Sequence, residues 1–280
     1  MKSFLKIVIS ITLLIFVLSN IDTKKLISTF QKVDFFWLLL AFIFFNLSKI
    51  VSSIRLNYYF KDIGINLSFK ENLILYYLGM FYNLFLPGGI GGDGYKIYLL
   101  RKKFQTPLIS LINANLLDRL SGLIALLFLA SILFWFSSFS KLYPILNIFS
   151  IFMALFIYPI FLYLHKKLYK NFLTYIKETT ILGLIVQILQ LICAFFIILS
   201  LPGNKNIFDF LTLFLISSVV AVLPLTIGGV GAREFTFLYG LKLIDNEPSL
   251  GVAFSFLFFL ITLISSAIGL VFVGRDILNR

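Results

Sequence analysis

With 280 residues, 60% of them hydrophobic and 13% charged, the chain is too apolar for a water-soluble domain, whose charged fraction runs near a quarter. No polar stretch exceeds about twenty residues, which leaves no room for an extramembrane domain of ordinary size. The formal net charge of +12 sits in short loops beside apolar runs rather than on one amphipathic face, so membrane topology and anionic head groups explain it better than nucleic acid does.

The chain opens with MKSFLKIVISITLLIFVLSN, a basic start and an apolar centre like a signal peptide. Its end lacks the small-x-small cleavage pattern, and a retained first span is expected. Apolar runs long enough to cross a bilayer as a helix lie at 4–20, 35–54, 120–139, 143–164, 181–201 and 250–274. Two further apolar segments, 72–86 and 207–225, run into Pro and a glycine cluster. After each cluster the chain resumes as a short charged stretch that reads as helix and contains Lys96 or Arg233. These two segments read as broken, re-entrant helices. The expected fold is an all-α polytopic membrane protein of six full transmembrane helices plus two re-entrant ones, eight membrane segments in all. They form a single domain whose repeat halves, related as an inverted repeat, are residues 1–140 and 141–280.

Charge supports that topology. With the N- and C-termini cytoplasmic and both broken segments returning to the side they came from, sixteen of the 24 Lys and Arg residues lie inside and seven outside, with Lys49 left in a span. Full crossings would put the basic loops 96–119 and 165–178 outside, against the positive-inside rule. The first break then enters from the cytoplasm and the second from outside, so that the two face each other.

Laid together without gaps, LPGGIGGDGYK (86–96) and LPLTIGGVGAR (223–233) agree at six of eleven positions. Leu86 meets Leu223, Pro87 meets Pro224, Ile90 meets Ile227, Gly91 meets Gly228, Gly92 meets Gly229 and Gly94 meets Gly231, with Lys96 against Arg233 as matched basic residues. Interrupted hydrophobic segments at corresponding places in two halves point to a transporter binding site; the bland alternative is a pair of kinks. Proline ends the helical ladder and glycine lets the chain turn and restart. The unpaired N–H groups of the new helix start cannot face lipid, and its positive end favours phosphate or carboxylate. Lys96 and Arg233 would add full positive charge there.

Ionisable residues at membrane depth are costly and mark function. The candidates are Lys49, Asp93, Asp118, Arg119, Arg233 and Glu234. Asp93 and Glu234 could pair with Lys96 and Arg233, carry a proton, or bind a cationic part of a head group. Asp118 and Arg119 read either as an interfacial pair at the start of the 120–139 span or as part of a site. Lys49, near the end of its span, can snorkel to the surface. GIGGDG at 89–94 matches GxGxxG in form, but it follows a membrane segment rather than a strand, which argues against a dinucleotide site. Tyr95 before Lys96 and Ile97 after it break the Walker pattern. Cys193 lies in an apolar run as a small core residue. His165 has no second ligand at metal spacing, and no nucleophile stands near a histidine. No cofactor, metal or nucleic-acid partner is expected.

At these residues the chain resembles the transmembrane, flippase-like domain of the lysylphosphatidylglycerol synthase family. The resemblance rests on NLFLPGGIGGDGYKIYLLRK (83–102), LLDRLSGL (116–123) and LPLTIGGVGAREF (223–235). It carries over the family's second motif to Pro224, Gly228, Gly229, Gly231 and Glu234, and the acidic and basic residues after its first turn to Asp93 and Lys96. Lys96 stands where the family often has Arg, and Ile227 where it often has a second Pro. The resemblance implies a prokaryotic inner-membrane protein whose partners are membrane lipids with anionic head groups. It further implies a flippase of a phospholipid or polyprenyl-phosphate lipid rather than an enzyme, since the family's soluble synthase domain would have to follow Arg280. The alternatives are an intramembrane lipid-phosphate transferase and an accessory subunit of a lipid-modifying or glycosyl-transfer system. The substrate-binding set is then Pro87, Gly91, Gly92, Asp93, Gly94, Lys96, Asp118, Arg119, Pro224, Gly228, Gly229, Gly231, Arg233 and Glu234, with no catalytic residue and no metal ligand.

Overall fold

The computed structural model describes residues 2–85, 91–203, 205–222, 226 and 229–275, with residues 2–7 and Phe85 as backbone only. Among the described residues every regular element is helical. In chain order these are α1 (Lys2–Ser19), α2 (Thr23–Gln31), α3 (Phe35–Asp62), α4 (Phe69–Phe85), α5 (Gly91–Phe104), α6 (Leu108–Phe134), α7 (Ser138–Leu142), α8 (Pro144–Leu168), α9 (Ile176–Ser200), α10 (Ile207–Val222), α11 (Ala232–Leu243) and α12 (Pro248–Ala267). Short 3-10 turns follow α8 at Lys170–Phe172 and continue α12 at Ile268–Phe272.

Helix boundaries follow the local chemistry. Asp22 accepts the Lys24 and Lys25 amides at 2.9 and 3.2 Å, and Asp34 accepts the Phe36 amide at 2.9 Å, so each starts a helix as an N-cap. Ser68 and Glu71 form a reciprocal capping box ahead of α4. Pro144 and Pro248 sit in the first turns of α8 and α12, where a missing N–H costs nothing. Outside the spans, the Lys25 ammonium reaches Glu247 at 2.9 Å and holds that carboxyl below the usual range, fastening α2 beside the start of α12.

Five helices are long and apolar enough to cross a membrane: α3, α6, α8, α9, and α12 with its 3-10 extension. They match five of the six expected full spans. Of the first, the described apolar portion is Val8–Ser19. Two boundaries differ from the expectation in a way that matters for the site. α6 begins at Leu108 rather than 120, and α3 runs on to Asp62 rather than ending at 54. Both helices continue through polar residues because those residues find partners inside the fold, which an apolar-run criterion cannot register. Asp118 and Arg119 therefore lie in mid-helix, not at the start of a span, and Lys49 lies in the middle of α3.

α3 packs along α9, with Trp37 and Phe44 against Phe196 at 5.7 and 5.4 Å between ring centroids. Cys193 is fully buried in this core. A second aromatic layer joins Phe45, Phe214, Phe237, Phe254 and Phe258 around α10–α12.

The helices that flank each glycine break pack as an antiparallel pair. α5 returns antiparallel to α4: Gly92 abuts Gly79, the Lys96 ammonium lies over the Tyr76 ring, and Lys103 approaches Glu71 at 3.9 Å. α11 likewise returns along α10, with Arg233 at Ser218 and Gly240 against Leu213. At 1.5 Å per residue α5 and α11 are about 21 and 18 Å long, short of the roughly 30 Å hydrocarbon layer.

Gly92 sets the close approach of the first hairpin, because a Cβ there would lie 1.8 Å from the Gly79 carbonyl oxygen. Gly94, one residue pair further, faces open space. Gly92→Ala should therefore lower stability by about 1–3 kcal/mol through overpacking, and Gly94→Ala should not. Thermal unfolding of the two purified variants in detergent separates them; equal midpoints would show that the α4–α5 contact is not tight.

Candidate functional site

The break ends of both hairpins open onto one cavity of about 440 Å³. Asn83 and Leu84 reach it from the end of α4, and Ala221, Val222, Thr226, Gly229 and Val230 from the second break. Three cationic side chains line it from three different helices: Lys49 of α3, Arg119 of α6 and Arg233 of α11.

At the first break, Asn83 accepts the Gly92 amide at 2.9 Å and so caps the restarted helix from the helix before it. Asp93 bridges two cations: Oδ1 meets Lys96 Nζ at 2.9 Å and Oδ2 meets Arg119 Nε at 2.5 Å. The carboxylate thus ties α5 to α6. Lys96 is buried, its stem lying over Gly79, and it stands behind the cavity wall rather than in its lining.

The second break uses the same device with different atoms. Gly231 takes φ +85° as the N-cap of α11, a left-handed conformation open to glycine at little cost. Its amide donates to Glu234 Oε2 at 2.6 Å, and Ser255 of α12 donates to Oε1 at 2.8 Å. Glu234 is 1% exposed, and both its oxygens are engaged in joining α11 to α12. Its hydrogen bonds are thus to Gly231 and Ser255, whereas Asp93 does pair with Lys96. Arg233 donates to Ser218 Oγ at 3.0 Å and stacks over the Phe258 ring at 4.8 Å. Lys49 lies over the Phe45 ring at 4.4 Å. Among the described residues no carboxylate lies within 4.0 Å of either Lys49 or Arg233.

Of the residues expected from sequence, Arg119, Gly229, Arg233 and Glu234 meet at the cavity; Gly91, Gly92, Asp93, Gly94 and Lys96 belong to the first turns of α5 behind it. Pro87, Pro224 and Gly228 lie outside the described residues. Asp118 faces away from the cavity, toward Arg55, whose Nε it accepts at 2.8 Å; both are buried, at 8% and 4% exposure. The α3–α6–α9 crossing around this pair is close, with Gly122 and Gly183 against the guanidinium and Gln187 donating to the Gly122 carbonyl.

Sequence reasoning missed Arg55, which lies one residue past the expected 35–54 span and was counted among the sixteen inside cations, and the place of Lys49 at the cavity. A signal was present. Ser48, Ser52, Arg55 and Tyr59 recur at helical spacing and are all buried, a polar stripe that marks an internal face of a membrane helix. A second cavity, about 640 Å³ between α6 and α8, is lined by hydrocarbon and aromatic groups with His165 and Tyr169 at one end. It holds no cluster of ionisable groups.

The fold and site define a class: a multi-pass helical membrane protein in which two broken-helix hairpins meet at a cavity lined by cations. The chain belongs to the family described as lysylphosphatidylglycerol synthase TM region, whose family model matches residues 3–269. It is also similar to the UPF0104 membrane protein PH1989 of Pyrococcus horikoshii, at 28% identity over 126 residues. That alignment spans 44% of this chain and 38% of the relative.

Removing one partner of a buried ion pair leaves the other charge uncompensated and costs about 3–5 kcal/mol, whereas replacing both with apolar groups is often neutral. Asp118→Leu should therefore unfold the protein at far lower temperature than wild type, and Arg55→Met with Asp118→Leu should recover most of the loss. Thermal unfolding of the single and double variants tests this; a double variant no better than the single would mean that the two charges are not each other's main support.

Proposed function

We propose that this chain moves a phosphate-bearing lipid, of phospholipid or polyprenyl-phosphate type, between the leaflets of a prokaryotic inner membrane, with both termini on the cytoplasmic side. The observation that carries the reading is the convergence of both glycine breaks on one cavity lined by Lys49, Arg119 and Arg233. A lipid phosphate is an anion that must leave water to cross, and preorganised cations in a low-dielectric site replace its hydration. In this reading α4–α5 and α10–α11 are re-entrant hairpins entering from opposite leaflets, the chain has eight membrane segments in two inverted halves, and the head group passes between the breaks while its tails stay in lipid. The likeness of the two motifs and the antiparallel return of α5 and α11 support that arrangement.

The family name supports a lipid rather than a soluble anion. A transporter reading is favoured over an enzymatic one because the cavity's carboxylate, Glu234, has both oxygens engaged and is poorly placed to serve as a base.

Dithionite quenching of fluorescent anionic lipids in proteoliposomes tests the proposal. Wild type should move lipid. Arg233→Ala should reduce the rate at least about tenfold, which corresponds to roughly 1.4 kcal/mol, because Arg233 faces the cavity without a carboxylate partner. Lys96→Ala should also impair movement, by leaving Arg119 as the sole cation paired with Asp93 and so lowering the net positive charge at the cavity. Undiminished rates in both variants, or no movement by wild type with any anionic lipid, would overturn the reading.

A further inference from the structure

Among the described residues the charges around the cavity do not balance. Lys49, Lys96, Arg119 and Arg233 contribute four positive charges, and Asp93 and Glu234 two negative ones, leaving two positive; the neighbouring Arg55–Asp118 pair is neutral in itself. The segments 86–90, 223–225 and 227–228 contain no ionisable residue that could change this count. A surplus charge at membrane depth is costly unless a partner reaches it. Arg233 and Lys49 make do with hydroxyl and aromatic contacts, which do not neutralise a charge.

Building on the lipid-translocation reading, we infer that the cavity selects a lipid whose head carries two negative charges, such as a phosphomonoester or a diphosphate, and rejects heads that carry an amine. Two surplus cations on separate helices match two anionic charges. An aminoacylated or zwitterionic head would bring its ammonium among three cations, where the cavity's carboxylate already accepts from the Gly231 amide and the Ser255 hydroxyl. Like charges in a poorly screened site repel, so selectivity comes from what the cavity refuses as well as from what it binds. Thr226 and Ser266 in the lining add hydroxyl donors for phosphate oxygens.

The test is binding, which does not depend on transport. Dioctanoyl phosphatidic acid, phosphatidylglycerol and phosphatidylcholine, lysyl-phosphatidylglycerol, and inorganic pyrophosphate are titrated into the full-length chain in neutral detergent at a pH where phosphatidic acid is dianionic. Phosphatidic acid should bind at least about tenfold more tightly than phosphatidylglycerol, and the zwitterionic and lysylated lipids more weakly still. Lys49→Gln and Arg233→Gln should each erase most of the preference for phosphatidic acid over phosphatidylglycerol. The ranking on wild-type protein stands as a test even where a variant fails to fold. Equal affinities, tighter binding of the lysylated lipid, or no binding at all would overturn the inference, and pyrophosphate binding as tightly as phosphatidic acid would assign the site to a soluble anion instead. A phosphatidic acid preference without leaflet movement would leave this inference standing and remove the translocation reading; movement of all lipids alike would do the reverse.

Discussion

A helix that stops in the middle of a bilayer exposes backbone donors and acceptors that lipid cannot satisfy. In the proposed re-entrant arrangement, the contacts around the two breaks answer that one constraint. The helices on either side of each break pack antiparallel. Each restarted helix is capped from within the protein, α5 by Asn83 and α11 by Glu234. Each is also fastened to the next helix by a carboxylate, Asp93 reaching α6 and Glu234 reaching α12. With the Gly92 and Gly231 amides capped in this way, the cavity beside the described break ends is lined by side chains that carry charge.

The two breaks are alike in motif but not in detail. Gly91 and Gly228 align in sequence, yet α5 starts at Gly91 while α11 starts only at Ala232. Gly94 is therefore a helical residue facing open space, and its counterpart Gly231 is a cap in a left-handed conformation. The aligned cations diverge as well. Lys96 is held by a carboxylate and Arg233 by a serine and an aromatic face. The strongest positive character at the cavity thus comes from the second half, with Lys49 of α3 beside it.

Much of this was legible in the sequence. The apolar runs located the long helices, and the Pro-Gly clusters located both breaks together with the short helices that follow them. What escaped was whatever depends on pairing across the fold. Arg55 and Asp118 are 63 positions apart, so neither local periodicity nor hydropathy could join them. Arg55 fell just past the expected end of the 35–54 span and so among the inside cations, yet the helix continues since the partner for its charge lies on α6. Lys49 looked able to reach the surface for the same reason. Asp93 and Lys96 are only three residues apart on one helix face, and their pairing was one of the three roles that the sequence left open for Asp93. Arg233 and Glu234 are adjacent and point to different neighbours, as successive residues on a helix do.

α1 has a part in this that its signal-peptide-like appearance conceals. A Cβ at Gly231 would sit 2.8 Å from Leu13 Cβ and 2.9 Å from the Ser10 carbonyl oxygen, and Phe16 stacks against Tyr239. The first helix is thus a wedge seated on the cap of α11. A chain trimmed of its first twenty residues would lose the packing that covers the turn aiming Arg233, which makes α1 part of the cavity's support.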